Sequence, residues 1–255
     1  MGYSPSPPSY RLDIGLLSDI GRSRTINQDD AGVIQLADNS GVLAYVADGM
    51  GGYNGGEIAS QTAGEILQRL SASKLTEHNC TKTLLAGFTE ANSAIYQLAE
   101  HSLELKSMGT TLVALAILDG RAFFANTGDS RLYLFRDHKT LQLSEDHSIV
   151  AELVRSGLIT PAQAKQHPHK HVITHAVGVK PDVYVDISNT PVLIKPDDYF
   201  LLCSDGLYEL VEDNEMLAIV SQHPAQVACE QLIQLANSRG GYDNISALIV
   251  HVIAK

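Results

Sequence analysis

Apolar residues in this chain fall into two kinds of run. Short blocks at 12–17, 42–47, 111–118, 121–125, 132–135, 183–187, 199–202 and 245–252 are rich in Val, Ile and Leu, have strand length, and are bounded by turn-forming residues. Longer stretches repeat their apolar positions every three or four residues. In 56–70 these are Ala59, Ala63, Ile66, Leu67 and Leu70; in 84–99 they are Leu84, Phe88, Ala91, Ile95 and Leu98. Both predict amphipathic helices covering a sheet. Two further helices are predicted at 214–220 and 225–237, the second with Val227, Leu232 and Leu235 on one stripe. The order lacks regular βαβ alternation. Only Asp119-Gly120 separates two of the strand runs, and Asp-Gly supplies the primed turn that matches strand twist, so an antiparallel hairpin is expected there. The pattern thus predicts a mixed, largely antiparallel α+β class.

Between 146 and 178 the character changes to a short helix near 150–155, Gly157, a helix start at Thr160-Pro161, and a His-rich stretch. This reads as a flap over the sheet edge. Residues 1–9 are Ser- and Pro-rich, with neither a basic nor an apolar signal segment, and read as a disordered leader. No repeat or linker divides the remainder, so 10–255 is expected to form one domain.

Charge narrows the partners. The 255 residues carry 18 basic against 29 acidic side chains, net −11, with no dense Lys/Arg run, which argues against nucleic acid. No apolar run approaches the roughly 18 residues that a membrane helix needs. Cys80, Cys203 and Cys229 are odd in number and lack paired spacing, consistent with a reducing, cytoplasmic setting.

The chemistry lies where strands end. Run 42–47 meets Asp48-Gly49, 122–125 leads to Gly128-Asp129, 199–203 leads to Asp205-Gly206, and Gly240-Gly241-Tyr242-Asp243-Asn244 opens 245–252. A single Asp-Gly is a common turn signal. Several strands ending in carboxylates can instead gather them in one cleft, where they repel one another unless a hard divalent cation such as Mg²⁺ or Mn²⁺ sits among them.

In order, Arg24-Thr-Ile-Asn27-Gln28-Asp29, Val46-Ala-Asp48-Gly49-Met50-Gly51-Gly52, Met108-Gly109-Thr110-Thr111, Gly128-Asp129-Ser130-Arg131, Cys203-Ser204-Asp205-Gly206-Leu207 and Gly240-Gly241-Tyr242-Asp243-Asn244 resemble the motif series of the metal-dependent Ser/Thr protein phosphatases, the PPM or type 2C family, in its compact bacterial form. The series spans about 11–252. The resemblance implies an α-β-β-α sandwich with metals in a channel at one end of two antiparallel sheets. It implies Asp48 as the carboxylate bridging two Mn²⁺ or Mg²⁺ ions, with the Gly49 carbonyl as a further ligand, and Asp205 and Asp243 on the first ion. Asp29 would lie at the same centre through a water, Asp129 would hold a third ion with Asp205, and Asn244 would brace Asp243 from behind. Arg24, five residues before Asp29, takes the place of the phosphate-binding arginine, whose planar fork matches two phosphate oxygens.

The implied reaction is hydrolysis of phosphoserine and phosphothreonine by a hydroxide bridging the two ions, on phosphoproteins that are targets of Ser/Thr kinases, by a monomer. Rival readings are a catalytically weak phospho-sensing module of the same fold and a small-molecule or aryl phosphatase. Competing chemistries lack their motifs: Asp48 is not followed by x-Asp, Cys203-Ser204-Asp205 is not a serine elbow, and no P-loop or His-Glu-x-x-His occurs.

The chain departs from the family at Tyr53, where many bacterial members carry His, and at Met50, where animal members do, which leaves the leaving-group acid unassigned. Aryl phosphates, whose phenol leaves more readily than a serine alkoxide, are therefore expected to be handled relatively well. His167, His169, His171 and His175 alternate as zinc ligands can, but Pro168 and the flap position favour an exposed surface. Asp146, at the base of that flap, is a candidate neighbour of the third ion.

Overall fold

The computed structural model describes residues 10–36, 41–52, 55–70 and 75–255. In chain order its elements are β1 (Tyr10–Asp19), β2 (Asp29–Gln35), β3 (Gly41–Met50), α1 (Gly55–Leu70), α2 (Cys80–His101), β4 (Gly109–Thr110), β5 (Leu112–Leu118), β6 (Arg121–Thr127), β7 (Arg131–Arg136), β8 (Lys139–Gln142), α3 (Ile149–Arg155), α4 (Pro161–Ala164), β9 (Asp186–Ile187), β10 (Val192–Leu193), β11 (Tyr199–Cys203), α5 (Asp205–Tyr208), α6 (Asp213–Val220), α7 (Ala225–Ser238) and β12 (Ile245–Ala254).

Side-chain alternation explains the layering. Along β3, Val42, Ala44 and Val46 enter one apolar cluster, while Leu43, Tyr45 and Ala47 enter another. Strand β12 does the same, with Leu248, Val250 and Val252 on one side and Ile245, Ala247 and Ile249 on the other. A strand with both faces apolar must lie between two layers, because successive side chains point to opposite faces. The shared middle cluster is therefore the seam between two sheets, one ordered β1-β12-β11-β7-β8 and the other β10-β6-β5-β3-β2. All neighbours in both are antiparallel. Helices α1 and α2 close the outer face of the second sheet through Ala59, Ala63, Leu84, Phe88 and Ile95, and α7 closes the first through Ala228, Cys229, Leu232 and Ala236. The result is the expected α+β sandwich of helices, sheet, sheet and helices.

The β5–β6 hairpin forms as expected. Asp119 and Gly120 both take positive φ, 50° and 76°, and Leu118 faces Arg121 across the turn. Two strand expectations change. From 183–187 only Asp186–Ile187 pairs with β6, while Val183, Val185 and Ile187 all pack against the apolar cluster that α1 and α2 cover. Strand β2 was not foreseen from its acidic start, yet Asp29 to Gln35 lie in register against Asp48 to Val42.

In the 146–178 segment, α3 begins at an N-cap Ser148, and α4 begins at a Thr160/Gln163 capping box with Pro161 in its first turn. Neither helix buries a residue. The segment's end is tied to α2, where Asn92 Oδ1 accepts from Gly178 N at 2.7 Å. No helix among the described residues is long and apolar enough to cross a membrane. The expectations for the 1–9 leader and for Tyr53 lie outside the described residues.

Candidate metal centre

Both sheets deliver carboxylates to the same end of the sandwich. Asp29 opens β2 and stands directly across from Asp48 on β3. Asp205 follows β11 at the first turn of α5, Asp243 precedes β12, and Asp129 follows β6 beyond Gly128, whose φ is +104°. The two threonines after Gly109 grip the β3 end. Asp48 N donates to Thr111 Oγ1 at 2.9 Å, and the Asp48 carbonyl accepts from Thr111 N at 2.9 Å and Thr110 Oγ1 at 3.0 Å. Gly49 leaves no room for a side chain, since a Cβ there would overlap the carbonyl oxygens of Gly56 and Gln28.

Burial first, then mutual repulsion, raises these acids above the ordinary carboxylate range. Asp29 is pushed up to about 7, with Asp205 and Asp243 as its charged neighbours, and Asp129 to about 8, with Asp205 and Asp146 as its neighbours. Asp205 rises to about 6, held down in part by a hydrogen bond from Asp48. Asp48 moves well above its usual value, with Asp29, Asp205, Asp129 and Asp243 all contributing after burial. Two carboxylate oxygens, Asp29 Oδ1 and Asp205 Oδ1, are sealed from water without a hydrogen-bond partner. A buried acceptor normally has one, and an all-oxygen cluster under self-repulsion is the donor set that a hard divalent ion satisfies. These residues therefore fit Mg²⁺ or Mn²⁺.

The remaining atoms around the cluster are fixed by neighbours that sequence reasoning missed. Asp29 Oδ2 accepts from both Ser204 Oγ and Ser246 Oγ at 2.7 Å, and Ser246 Oγ also contacts Ser18 Oγ at 2.8 Å. His171, Asp205 and Glu209 bring one ligand atom each within 4.8 Å of one another. Glu209 also pairs with Lys170 at 2.8 Å. No local pattern flags Ser204, Ser246 or Glu209, because each meets its partner only across strands or through the 146–178 segment.

Three of the expected residues have polar partners of their own in the structure. The Asn244 amide makes its hydrogen bonds away from Asp243. Its Oδ1 accepts from Gln28 N at 2.9 Å and its Nδ2 donates to the Ile20 and Ile26 carbonyls, while the Asn244 backbone N–H donates to Asp243 Oδ1 at 2.8 Å. Arg24 is paired with Asp243 itself, Nη2 to Oδ2 at 2.7 Å, with both side chains partly open to solvent. Asp146 is taken up by Arg131, whose Nη2 lies 2.7 Å from Oδ2, and by Gln142. Among the histidines, His175 packs against His147 and Tyr184, and His167 against His169. Only His171 approaches the carboxylates.

Comparison with known proteins agrees with this architecture. The family model for protein phosphatase 2C matches residues 21–241. A serine/threonine phosphatase stp of Listeria monocytogenes is 40% identical, the match covering 91% of this chain and 93% of that protein. The structure of the S. agalactiae serine/threonine phosphatase superposes with a TM-score of 0.89 at 33% identity, covering 94% of this chain and 99% of that one. The catalytic domain of PstP, solved in complex with 2 manganese ions, gives a TM-score of 0.85 at 32% identity, covering 96% of this chain and 100% of that one. The chain belongs to the protein phosphatase 2C family.

Proposed function

We propose that this chain removes phosphate from phosphoserine and phosphothreonine in proteins, using divalent ions held at the strand-end carboxylates. It is a metal-dependent protein-serine/threonine phosphatase. Asp48, Asp205, Asp243 and the Gly49 carbonyl hold the two core ions, Asp29 completes their surroundings, and Asp129 with Asp205 serves a third. When bound, the ions neutralise phosphate charge and supply an activated water for in-line attack. The protein's own part is orientation. Ser204 and Ser246 hold one oxygen of Asp29 and leave the other free, the threonine pair fixes the Asp48 backbone, and the Asn244 N–H aims Asp243. Arg24, poised on Asp243, turns its guanidinium fork to two phosphate oxygens when substrate arrives.

The observation that carries this reading is the convergence of acids from both sheets on two buried, unpartnered carboxylate oxygens. We take the enzyme to work as a monomer in the cytoplasm on proteins modified by Ser/Thr kinases, residues 10–255 forming the catalytic domain and 146–178 its flap; three buried free cysteines support the reducing setting. With Mn²⁺, hydrolysis of p-nitrophenyl phosphate and of a phosphothreonine peptide is expected, abolished by EDTA and lowered more than about a hundredfold by Asp48→Asn or Asp243→Asn. Activity that survives EDTA would reject the reading.

A further inference from the structure

Helices α3 and α4 carry apolar residues and bury none of them. A cavity of about 540 Å³ lies against them. Val150, Ala151 and Val154 of α3 and Pro161 and Ala164 of α4 line one side. On the other side lie Asp129 and Tyr208, with the Arg131 guanidinium stacked 3.6 Å over the Tyr208 ring. Asp129, a charged neighbour of Asp205, lines this cavity, so a group docked there lies near the carboxylate cluster.

The charges in its wall decide the occupant. Four cations line the cavity, and each already has a carboxylate of the same wall: Arg131 with Asp146 at 2.7 Å, Lys165 with Glu212 at 2.8 Å, Lys170 with Glu209 at 2.8 Å, and Arg155 with Glu145 at 3.3 Å. The carboxylate left over, Asp129, belongs to the metal centre. A charged guest would have to compete with these pairs, the most enclosed being Arg131–Asp146, whereas an uncharged side chain needs only the apolar surface of Val150, Ala151 and Val154. The volume lies within the range of ligand pockets and accommodates a large side chain with adjoining backbone.

We propose that this cavity is a specificity pocket for a large uncharged apolar residue, Leu, Met or Phe in kind, flanking the phosphorylated residue of the substrate protein. The inference rests on the phosphatase reading above. It places sequence preference in the substrate, read by the α3–α4 segment, beside a centre that handles the phosphate alone.

The test is a panel of phosphothreonine peptides identical except for one flanking position, scanned over four residues on either side and filled with Leu, Phe, Gly, Asp or Lys. Mn²⁺-dependent hydrolysis of p-nitrophenyl phosphate by the wild-type enzyme, a substrate with no flanking residue, is measured beside it. At one position or more, Leu or Phe should raise kcat/KM roughly ten- to a hundredfold over Gly. In Ala151→Trp, which fills the cavity, that ratio should collapse to near one, and Val154→Lys, which places a charge in it, should give the same collapse if the tryptophan variant fails to fold. A flat panel in an enzyme that hydrolyses p-nitrophenyl phosphate overturns the pocket alone. So does an apolar preference that persists in the folded variants, or a preference for Asp or Lys that these variants abolish. Failure to hydrolyse p-nitrophenyl phosphate with Mn²⁺ overturns the phosphatase reading beneath it.

Discussion

Asp29 shows how much of a site depends on what stands behind the reacting group. Two serine hydroxyls occupy its Oδ2 and leave Oδ1 buried without a partner. Removing them lets the carboxylate rotate and raises the cost of holding it in place for an ion. For the double variant Ser204→Ala/Ser246→Ala, Mn²⁺ binding measured by calorimetry is expected to weaken about tenfold to a hundredfold, with the fold intact by circular dichroism. Unchanged affinity would leave the serines a packing role only. At this scale Asp48, Asp129, Asp205 and Asp243 were legible in the sequence because each sits where an apolar run meets a turn, whereas Asp29 came only from the resemblance to the family. The serines were not, because a serine in or beside a strand reads the same whether its hydroxyl meets a backbone carbonyl or a carboxylate. Asn244 repeats the lesson: its place beside Asp243 was visible, but its amide is spent on the 20–28 loop.

Among elements, the strands and helices with two-residue or 3.6-residue periodicity were readable, and so was the Asp119-Gly120 hairpin, since local backbone preference and pattern agree there. Strand β2 was not, because its pairing with β3 comes from register across the sheet rather than from its own composition. A charged pair fastens the β7–β11 pairing inside the other sheet. Arg136 at the end of β7 donates Nε and Nη2 to the two oxygens of Asp198, at 2.7 and 2.6 Å, and Asp198 is fully buried just before β11. Arg136→Ala leaves that buried carboxylate without its charged partner, with the Lys195 N–H still donating to Oδ2 at 2.7 Å, and is expected to destabilise the metal-free protein by about 3 kcal/mol in urea unfolding. The site lies at the other end of β11, so kcat at saturating Mn²⁺ should hold; a parallel loss of kcat would show that the two ends of the strand are coupled.

For the whole molecule, the acidic cleft sets how stability depends on pH. Asp29, Asp129 and Asp205 titrate near 7, 8 and 6 in the folded, metal-free chain, above the ordinary carboxylate value they have when unfolded. Over that interval the folded state holds more protons, so their contribution is fully present below about pH 4 and is lost as pH rises toward 8. His147 works in the opposite sense. Burial lowers it to about 4, so its contribution is complete above about pH 6.5 and falls away as pH drops toward 4. With Asp30 and Asp48 raised in the same sense as these three acids, and only His147 and His251 lowered among the imidazoles of the described residues, Tm in EDTA is expected to fall between pH 5 and pH 8, and saturating Mn²⁺ to remove most of that fall; equal slopes with and without the ion would mean that the acids are not where it binds. Sequence alone determined the class of fold, the acids at the strand ends and the family, because these follow from periodicity, turn chemistry and the order of short motifs. Tertiary structure alone decided which hydroxyls hold Asp29, why Arg24 rests on Asp243, and that α3 and α4 span a cavity whose cations are already paired, because each of these depends on groups far apart in the chain meeting at distances that no linear pattern encodes.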